Sequence, residues 1–249
     1  MIYKLYNNQI HLKFDEDKHI YSVDDRTVNG VTSILQVINK PALMPWVAKT
    51  CGDFLQKNLS LKMEMDEIEK TNFIKAMKSQ YRKKTDDAAS IGTLAHHFME
   101  SYGNYKLKKS SKPLLPKNEE ARNSCLAFLD WVKQNNVQFV DCEFKIYSKK
   151  FRYAGTCDLD CVVNGERAII DYKTSSGIWD EYGMQLAAYQ MARVEEGYES
   201  YQKRLILRVP KNADDFEVKE FPNLADDFKG FLSAFGLYRW QQNVKKKKK

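Results

Sequence analysis

The sequence contains no apolar run approaching the roughly 20 residues that a membrane-spanning helix requires. Residues 1–9 are polar and lack the apolar segment of a secretion signal. These two absences predict a soluble protein of the cytoplasm that has no membrane partner.

Cysteines are scarce, and no two of the five stand in a Cys-x-x-Cys pair. An odd number without regular spacing is typical of a reducing compartment rather than of a disulfide framework. The same spacing argues against a structural zinc ion and against an iron–sulfur cluster.

Positive charge is less abundant in the body of the chain than the net charge of +7 suggests. Five of those charges belong to Lys245–Lys249, which leaves about +2 for all other residues together. A terminal lysine run is typical of a solvated tail, so we expect residues 245–249 to be disordered. Bulk charge therefore says little about a partner.

The chain is long enough for one substantial core, since 43% of its 249 residues are hydrophobic. The first third of the chain predicts a β-hairpin around Asp15–Lys18, a turn at Asn29-Gly30 and a short helix capped by Thr32 or Ser33. Three further helices are predicted: one that ends near residue 57, one over 64–84 and one over 86–103. We therefore expect an accessory lobe over residues 1–85, packed on a core over residues 86–244.

The core region alternates between helical and β-rich patterns. In order, it predicts a helix over 118–135, strands over 138–148, 152–163 and 166–173, a helix over 180–196, strands over 204–209 and 215–220, and a helix over 224–241. This order indicates an α/β fold, in which helices flank a mixed β-sheet.

The most informative feature is a pair of strands joined by Asn164-Gly165. Asn-Gly favours a two-residue type I′ turn, which sets the register of the hairpin. In that register, Asp158 in the first strand faces Asp171 in the second. Apolar residues flank both carboxylates, so we expect these strands to be buried on both faces.

Two facing carboxylates repel each other, at a cost of roughly 4 kcal/mol for a separation of about 4 Å and an effective dielectric near 20. Full solvation, a shared proton or a bound divalent cation would relieve this repulsion. The apolar flanks argue against full solvation, and carboxylate oxygens suit Mg²⁺ or Mn²⁺. We therefore predict a divalent metal ion at Asp158 and Asp171.

Lys173 points to the same face of its strand as Asp171, because side chains alternate along a strand. A metal ion can activate a bound water and polarise a phosphoryl oxygen, and an ammonium group can orient that water or stabilise charge on the phosphate. These residues together predict hydrolysis of a phosphodiester bond. The alternative is an exposed hairpin with ordinary charges, since Asp-x-Lys on a strand is a weak signal alone.

Four short motifs occur along the second half of the chain. They are Gly92-Thr93-x-x-His96, Gly155-Thr156-Cys157-Asp158, Asp171-Tyr172-Lys173 and Gln185-x-x-x-Tyr189. In this order they resemble motifs of the PD-(D/E)XK nuclease superfamily, in its RecB-like and phage-exonuclease branch. The resemblance covers roughly residues 86–210 and implies a restriction-endonuclease-like core of helix, three strands, helix and strand. Cys157 stands where the family's name has proline.

The resemblance implies a role for each matching residue. The implied metal ligands are Asp158, Asp171, His96 and the backbone carbonyl of Tyr172. The implied catalytic residues are Asp158, Asp171, Lys173, Gln185 and Glu143, of which Glu143 stands where relatives carry an acidic residue. Gln185 and Tyr189 would orient Lys173 or contact DNA, and Thr93 would contact the substrate.

Several of these residues have a simpler alternative. A lone histidine or tyrosine on a helix more often packs in the core or lies on the surface, and Glu143 fits an ordinary strand charge. Thr174 and Ser175 directly follow the lysine, and their hydroxyls suit either hydrogen bonds to a substrate phosphate or a turn.

The resemblance also implies an activity and partners. We expect a DNA exonuclease that uses one or two Mg²⁺ or Mn²⁺ ions and acts in recombination, repair or phage DNA processing, in a bacterial or phage-infected cell. The expected partners are linear single- or double-stranded DNA, a recombination protein and further copies of the chain. Helicase motifs are absent, so no nucleotide cofactor is expected. The alternatives are a structure-specific endonuclease and a catalytically inactive DNA-binding module.

Overall fold

The computed structural model describes residues 1–38, 40–58, 65–212 and 215–247. In chain order, the elements within these ranges are β1 (Ile2–Leu5), β2 (Ile10–Asp15), β3 (Ile20–Val23), β4 (Arg26–Gly30), α1 (Val31–Leu35), α2 (Leu43–Asn58), α3 (Glu67–Lys106), α4 (Glu119–Gln134), β5 (Gln138–Ser148), β6 (Tyr153–Val163), β7 (Glu166–Lys173), α5 (Glu181–Glu196), β8 (Lys203–Arg208), β9 (Glu217–Glu220) and α6 (Leu224–Lys247). Within the same ranges, no helix combines the length and the apolar character needed to cross a bilayer.

A mixed sheet flanked by helices forms the core, which confirms the predicted fold class. The strands β5, β6 and β7 pair antiparallel, α5 leads across to β8, and β8 lies parallel to β7. With α4 in front, this is the predicted order of helix, three strands, helix and strand. At the end of the sheet, β9 pairs antiparallel with β8.

Apolar side chains cover both faces of the central strands. Ile169 and Ile206 belong to one hydrophobic cluster, together with residues of α1, α5 and α6. Ile170 and Leu207 belong to a second cluster, together with residues of α4 and the last part of α3. Because neighbours along a strand point to opposite faces, β7 is buried on both sides, as its apolar sequence predicts.

The β6–β7 hairpin forms in the predicted register. Asn164 and Gly165 at its turn have φ values of 50° and 89°, which is the left-handed conformation that a type I′ turn requires. From this turn the antiparallel ladder extends to the pair Leu159 and Ile170. A local turn signal therefore fixes which residues of the two strands face each other.

Four N-terminal strands extend the same sheet. The strands β1 to β4 pair antiparallel in sequence order, and the β2–β3 hairpin is the predicted one. The end of β4 then lies parallel to the start of β6, where Gly30 pairs with Ala154. Gly30 is extended, with φ −75° and ψ 144°, and it caps α1. The predicted turn at Asn29-Gly30 is therefore wrong, because pairing with β6 holds this dipeptide in a strand. The predicted cap by Thr32 or Ser33 is also wrong, because α1 already begins at Val31.

Residues 67–106 form the single helix α3, where the sequence predicts two helices. The segment at the predicted break contains Thr85 and Asp86 but neither glycine nor proline. The Thr85 hydroxyl donates a hydrogen bond to the Tyr81 carbonyl at 2.8 Å, inside the helix. Since nothing in this segment excludes helical backbone, the helix continues through it.

The chain divides into two compact units, of which one comprises residues 1–38 and 94–249 and the other residues 39–93. The predicted lobe of 85 residues differs from this division, because β1 to β4 pair into the main sheet. In the smaller unit, α2 packs against the first part of α3. The rings of Phe54 and Phe73 meet there with their centroids 5.5 Å apart.

The last helix runs farther than the sequence predicts. α6 continues through Lys247, so residues 245–247 are helical rather than disordered, and residues 248 and 249 lie outside the described part. Lysine is a good helix former, and cations in the last turn interact favourably with the helix dipole. Both effects favour the longer helix.

Candidate active site

Asp158 and Asp171 lie where the β6–β7 ladder ends. The pairing stops at Leu159 and Ile170, one residue short of the two aspartates. Oδ2 of Asp158 instead accepts a hydrogen bond from the backbone amide of Tyr172 at 2.6 Å. Asp158 is 9% exposed and Asp171 is 3% exposed. The structure thus brings the two predicted aspartates into one buried site.

Glu143 joins this site from β5. Cys142 and Phe144 pair with Leu159 and Cys157 of β6, whereas Glu143, which lies between them and opposite Asp158, does not take part in this pairing. Its φ of 50° is a left-handed conformation, which costs a residue other than glycine on the order of 1–3 kcal/mol. The other non-glycine residues described with this conformation lie in turns, whereas Glu143 has it inside a strand, where its ladder with β6 is interrupted.

His96 completes a group of three potential metal ligands. Its Nδ1 lies 3.7 Å from Oδ2 of Asp158. One side-chain nitrogen or oxygen from each of His96, Glu143 and Asp158 lies within 4.8 Å of the others. An imidazole nitrogen with carboxylate oxygens is a donor set that suits a divalent cation. The residues present therefore fit a metal ion, while the Tyr172 carbonyl stays a predicted ligand.

Gln185 of α5 ties together Asp171, Lys173 and Tyr189. Its amide nitrogen donates hydrogen bonds to Oδ1 of Asp171 at 2.7 Å and to the Tyr189 hydroxyl at 2.9 Å. Its Oε1 accepts one from Nζ of Lys173 at 3.3 Å. Lys173 also forms an ion pair with Oδ2 of Asp171. These contacts hold the lysine and the second aspartate in fixed positions.

Asp171 is a neighbour of the group formed by His96, Glu143 and Asp158 but is not one of its three members. Its Oδ2 is buried and, apart from the ion pair with Lys173, accepts no hydrogen bond from any residue that the structure describes. A buried carboxylate oxygen without a donor is costly unless a cation compensates it. In this structure the Lys173 ammonium group supplies that charge, so a metal ion bound at this oxygen would share it with Lys173 or displace the lysine.

Burial and mutual repulsion shift the proton affinities of the site. Burial, followed by the charge of Asp171, raises the pKa of Asp158. Burial, followed by the charge of Asp158, raises the pKa of Glu143 to about 8. Burial lowers the pKa of His96. For Lys173 burial opposes the charged form, but the neighbouring aspartates outweigh it and the pKa is raised. Without a cation, the site thus binds extra protons near neutral pH.

The metal-free protein is expected to lose stability between pH 5 and pH 8 because of Glu143 and Asp158. Their raised pKa values mean that the folded state binds more protons than the unfolded state. The free energy of unfolding therefore falls as the pH rises from about 4, the ordinary range of carboxyl groups, towards the raised pKa values.

Urea unfolding at both pH values, with a chelator present, measures this loss. Asp158→Asn removes one titrating group and the repulsion that acts on the other, so its loss should be smaller than that of the wild type. An equal loss in the two proteins would contradict the assigned cause.

The site opens into a cavity of about 260 Å³. The N-terminal strands and α1 contribute to its wall, through His19, Tyr21 and Thr32 among others. The Tyr21 hydroxyl shares a hydrogen bond with Oγ1 of Thr156 at 2.8 Å, which joins this wall to β6. No motif in the sequence marks these wall residues, because only the pairing of β4 with β6 brings them to the site.

Two of the predicted substrate contacts, Ser175 and Thr93, have other partners in this structure. The Ser175 hydroxyl donates a hydrogen bond to the Gly177 carbonyl at 2.8 Å, which is the turn role left open above. The Thr93 hydroxyl is exposed and donates to the Ala89 carbonyl at 3.0 Å, inside α3. Thr174 is half-buried just beyond β7. A contact between any of the three and a substrate stays a prediction.

Gly155 allows a close approach of Tyr189. A Cβ atom at residue 155 would lie 2.7 Å from Cε1 of the Tyr189 ring, which is fully buried. We expect Gly155→Ala to lower the free energy of unfolding by about 1–3 kcal/mol, because the packed ring cannot move aside without strain. The hydrogen bond between Tyr189 and Gln185 should weaken as well.

Urea denaturation measures this effect, with Gly236→Ala as its control. Gly236 lies inside α6 and has open space where a Cβ atom would stand. Alanine there should stabilise the helix by roughly 0.5–1 kcal/mol. Denaturation midpoints that shift equally in the two variants would show that the close approach is unimportant.

Comparison with known proteins gives a family match. A model of the PD-(D/E)XK nuclease superfamily matches residues 75–245, which is more than half of the chain. The search of curated proteins finds no match. Among solved structures, the crystal structure of SSO0001 aligns with 61% of this chain over 82% of its own length, at 17% identity and with a TM-score of 0.27. Because the family match spans the core sheet and its buried carboxylates, the chain belongs to the PD-(D/E)XK nuclease superfamily.

Proposed function

We propose that the protein is a metal-dependent DNA exonuclease that hydrolyses phosphodiester bonds. The observation that carries the proposal is the half-buried group of His96, Glu143 and Asp158, next to the ion pair of Asp171 and Lys173. Membership of a nuclease superfamily supports hydrolysis of DNA, and members of this superfamily generally use divalent metal ions.

The proposed cofactor is Mg²⁺ or Mn²⁺, with one or two ions at the site. Asp158 and Asp171 would bind it, with His96, Glu143 and the Tyr172 carbonyl as further ligands. Carboxylate and carbonyl oxygens suit both metals. A bound ion would lower the pKa of a water molecule and polarise a phosphoryl oxygen.

Lys173 is the proposed catalytic lysine. In the metal-free site, burial is outweighed by the charges of Asp171 and Asp158, which raise its pKa and favour the ammonium form. Held by Asp171 and Gln185, it would orient the attacking water or stabilise the charge that develops on the phosphate. The water oxygen bonds to phosphorus and loses a proton to the solvent, the bond from phosphorus to the leaving oxygen breaks, and the leaving oxygen takes a proton from the solvent. Gln185 and Tyr189 would act as positioning residues.

The preference for an exonuclease of the RecB-like or phage branch comes from the motifs. The proposed substrate is linear DNA, in recombination, repair or phage DNA processing, with a recombination protein and further copies of the chain as proposed partners.

Incubation of end-labelled linear DNA and closed circular DNA, with and without Mn²⁺, tests this function. An exonuclease should degrade the linear DNA only when Mn²⁺ is present and should leave the circle intact. Cutting of the circle would favour a structure-specific endonuclease of the same superfamily. Binding of DNA without degradation in Mn²⁺ would favour a catalytically inactive DNA-binding module.

A further inference from the structure

A buried lysine stands next to the candidate metal ligands, and none of the sequence motifs includes it. Lys145 follows Glu143 by two residues in β5 and is 7% exposed. Lysine is among the residues least often buried unless it is paired. Its position therefore calls for a partner, and the partner indicates what it does.

Lys145 contacts Glu143 at two points. Its Nζ donates a hydrogen bond to the Glu143 backbone carbonyl at 3.2 Å. The same nitrogen lies 3.7 Å from Oε2 of the Glu143 carboxylate. One ammonium group thus holds both the strained backbone and the side chain of a potential ligand.

Two aromatic rings of the N-terminal strands lie beside this ammonium group. Nζ of Lys145 is 5.2 Å from the ring centroid of Tyr3 in β1 and 4.9 Å from that of Phe14 in β2. A cation over an aromatic face is attracted by the ring, most strongly where water is excluded. The rings therefore favour a position of the ammonium group between the N-terminal strands and Glu143.

We propose that Lys145 is a positioning residue of the metal centre, and that it holds Glu143 in the orientation that binds a divalent ion. This inference rests on the proposed function, since it needs a metal at the site. Groups that orient metal ligands without touching the metal are part of a metal site, and their loss typically weakens metal binding by about 10–100-fold. Because Tyr3 and Phe14 lie beside Lys145, this proposal also makes β1 and β2 part of the metal centre.

The test is Mn²⁺ binding, measured from the electron paramagnetic resonance signal of the free ion in a titration. Lys145→Met keeps an unbranched side chain beneath the rings but removes the charge. Its dissociation constant for Mn²⁺ should rise at least about tenfold. Lys145→Arg keeps the charge and should bind Mn²⁺ more tightly than the methionine variant.

Lys149→Met is the matched control. Lys149 also lies over an aromatic ring of the N-terminal segment, with Nζ 3.9 Å from the centroid of Tyr6, and it donates a hydrogen bond to Gln9. Its removal should leave the affinity for Mn²⁺ unchanged. A folded Lys145→Met protein that binds Mn²⁺ as tightly as the wild type, or more tightly, overturns the inference, even if its melting temperature falls.

If Lys145→Met does not fold, Tyr3→Leu is tested instead. This variant removes one of the two rings beside the ammonium group of Lys145 at a half-buried residue and leaves the ammonium group itself. Its dissociation constant should also rise, and wild-type affinity would overturn the inference. A wild type that binds no Mn²⁺ overturns the proposed function as well. A wild type that binds Mn²⁺ and degrades DNA, beside a Lys145→Met variant of equal affinity, overturns this inference alone.

Discussion

Asp171→Asn is expected to slow Mn²⁺-dependent degradation of linear DNA by about a thousandfold or more, which corresponds to roughly 4 kcal/mol of the activation barrier. The variant loses a predicted metal ligand and also the partner that holds the Lys173 ammonium group. Two contributions to catalysis, binding of the metal and placement of the lysine, therefore fail together. The initial rate of release of end label, at saturating DNA, measures the effect.

Asp160→Asn is the matched control for this variant. Asp160 is likewise a buried aspartate of the central sheet, in β6, but it accepts hydrogen bonds from Arg167 at 2.9 Å and from Tyr201 at 2.9 Å, away from the cavity. Its replacement should lower the stability, because it weakens a buried ion pair, and should leave the rate of the folded protein unchanged. A wild-type rate in Asp171→Asn would rule out the assigned catalytic role.

Lys173→Met is expected to slow the hydrolysis step by about 10²–10³-fold while Mn²⁺ binding is retained. The ammonium group lies against Asp171 and Gln185 at the site, so its loss removes charge stabilisation but no metal ligand. Single-turnover rates at saturating Mn²⁺ and DNA measure the chemistry, and a Mn²⁺ titration of the same protein measures binding.

Lys173→Arg should restore little of the lost rate, because a planar guanidinium group does not reproduce the contacts of a compact ammonium group. Lys203→Met serves as the control, since Lys203 on the neighbouring strand β8 forms an exposed ion pair with Glu166. That variant should keep the wild-type rate. A rate loss in Lys173→Met that disappears once Mn²⁺ is raised would mean that the lysine serves metal binding instead.

The relative positions of Asp171 and Lys173, and of Gln185 and Tyr189, can be predicted because the local sequence determines them. Asn164-Gly165 fixes the register of the hairpin through a turn that needs two left-handed residues. The alternation of side chains then places Asp171 and Lys173 on one face. Gln185 and Tyr189 stand four residues apart on α5, and such residues are neighbours on a helix, as the hydrogen bond between them shows.

The wall of the cavity is not predictable in the same way. Tyr21 reaches Thr156 only because β4 pairs with β6, between residues more than a hundred positions apart. No local pattern decides which distant strand a short strand joins, since pairing depends on the packing of the whole sheet. The same pairing explains why the compact units differ from the predicted lobe and core.

Backbone detail at the site also lies beyond the sequence pattern. The register alone predicts that Asp158 faces Asp171, whereas the Asp158 carboxylate accepts the Tyr172 amide hydrogen in place of the next ladder bond. The left-handed backbone of Glu143 has no signal in its sequence, because glutamate carries no preference for it. Competition between side chains and backbone for the same donors decides such details.

Anomalous diffraction from crystals soaked in Mn²⁺ locates the metal site. We expect a manganese peak in the cavity, with carboxylate oxygens of Asp158 and Asp171 at about 2.1 Å and a nitrogen of His96 or an oxygen of Glu143 completing the site. The metal site proposed here would be contradicted by crystals in which manganese binds only elsewhere, Lys173 stays paired with Asp171, and no metal lies among His96, Glu143 and Asp158.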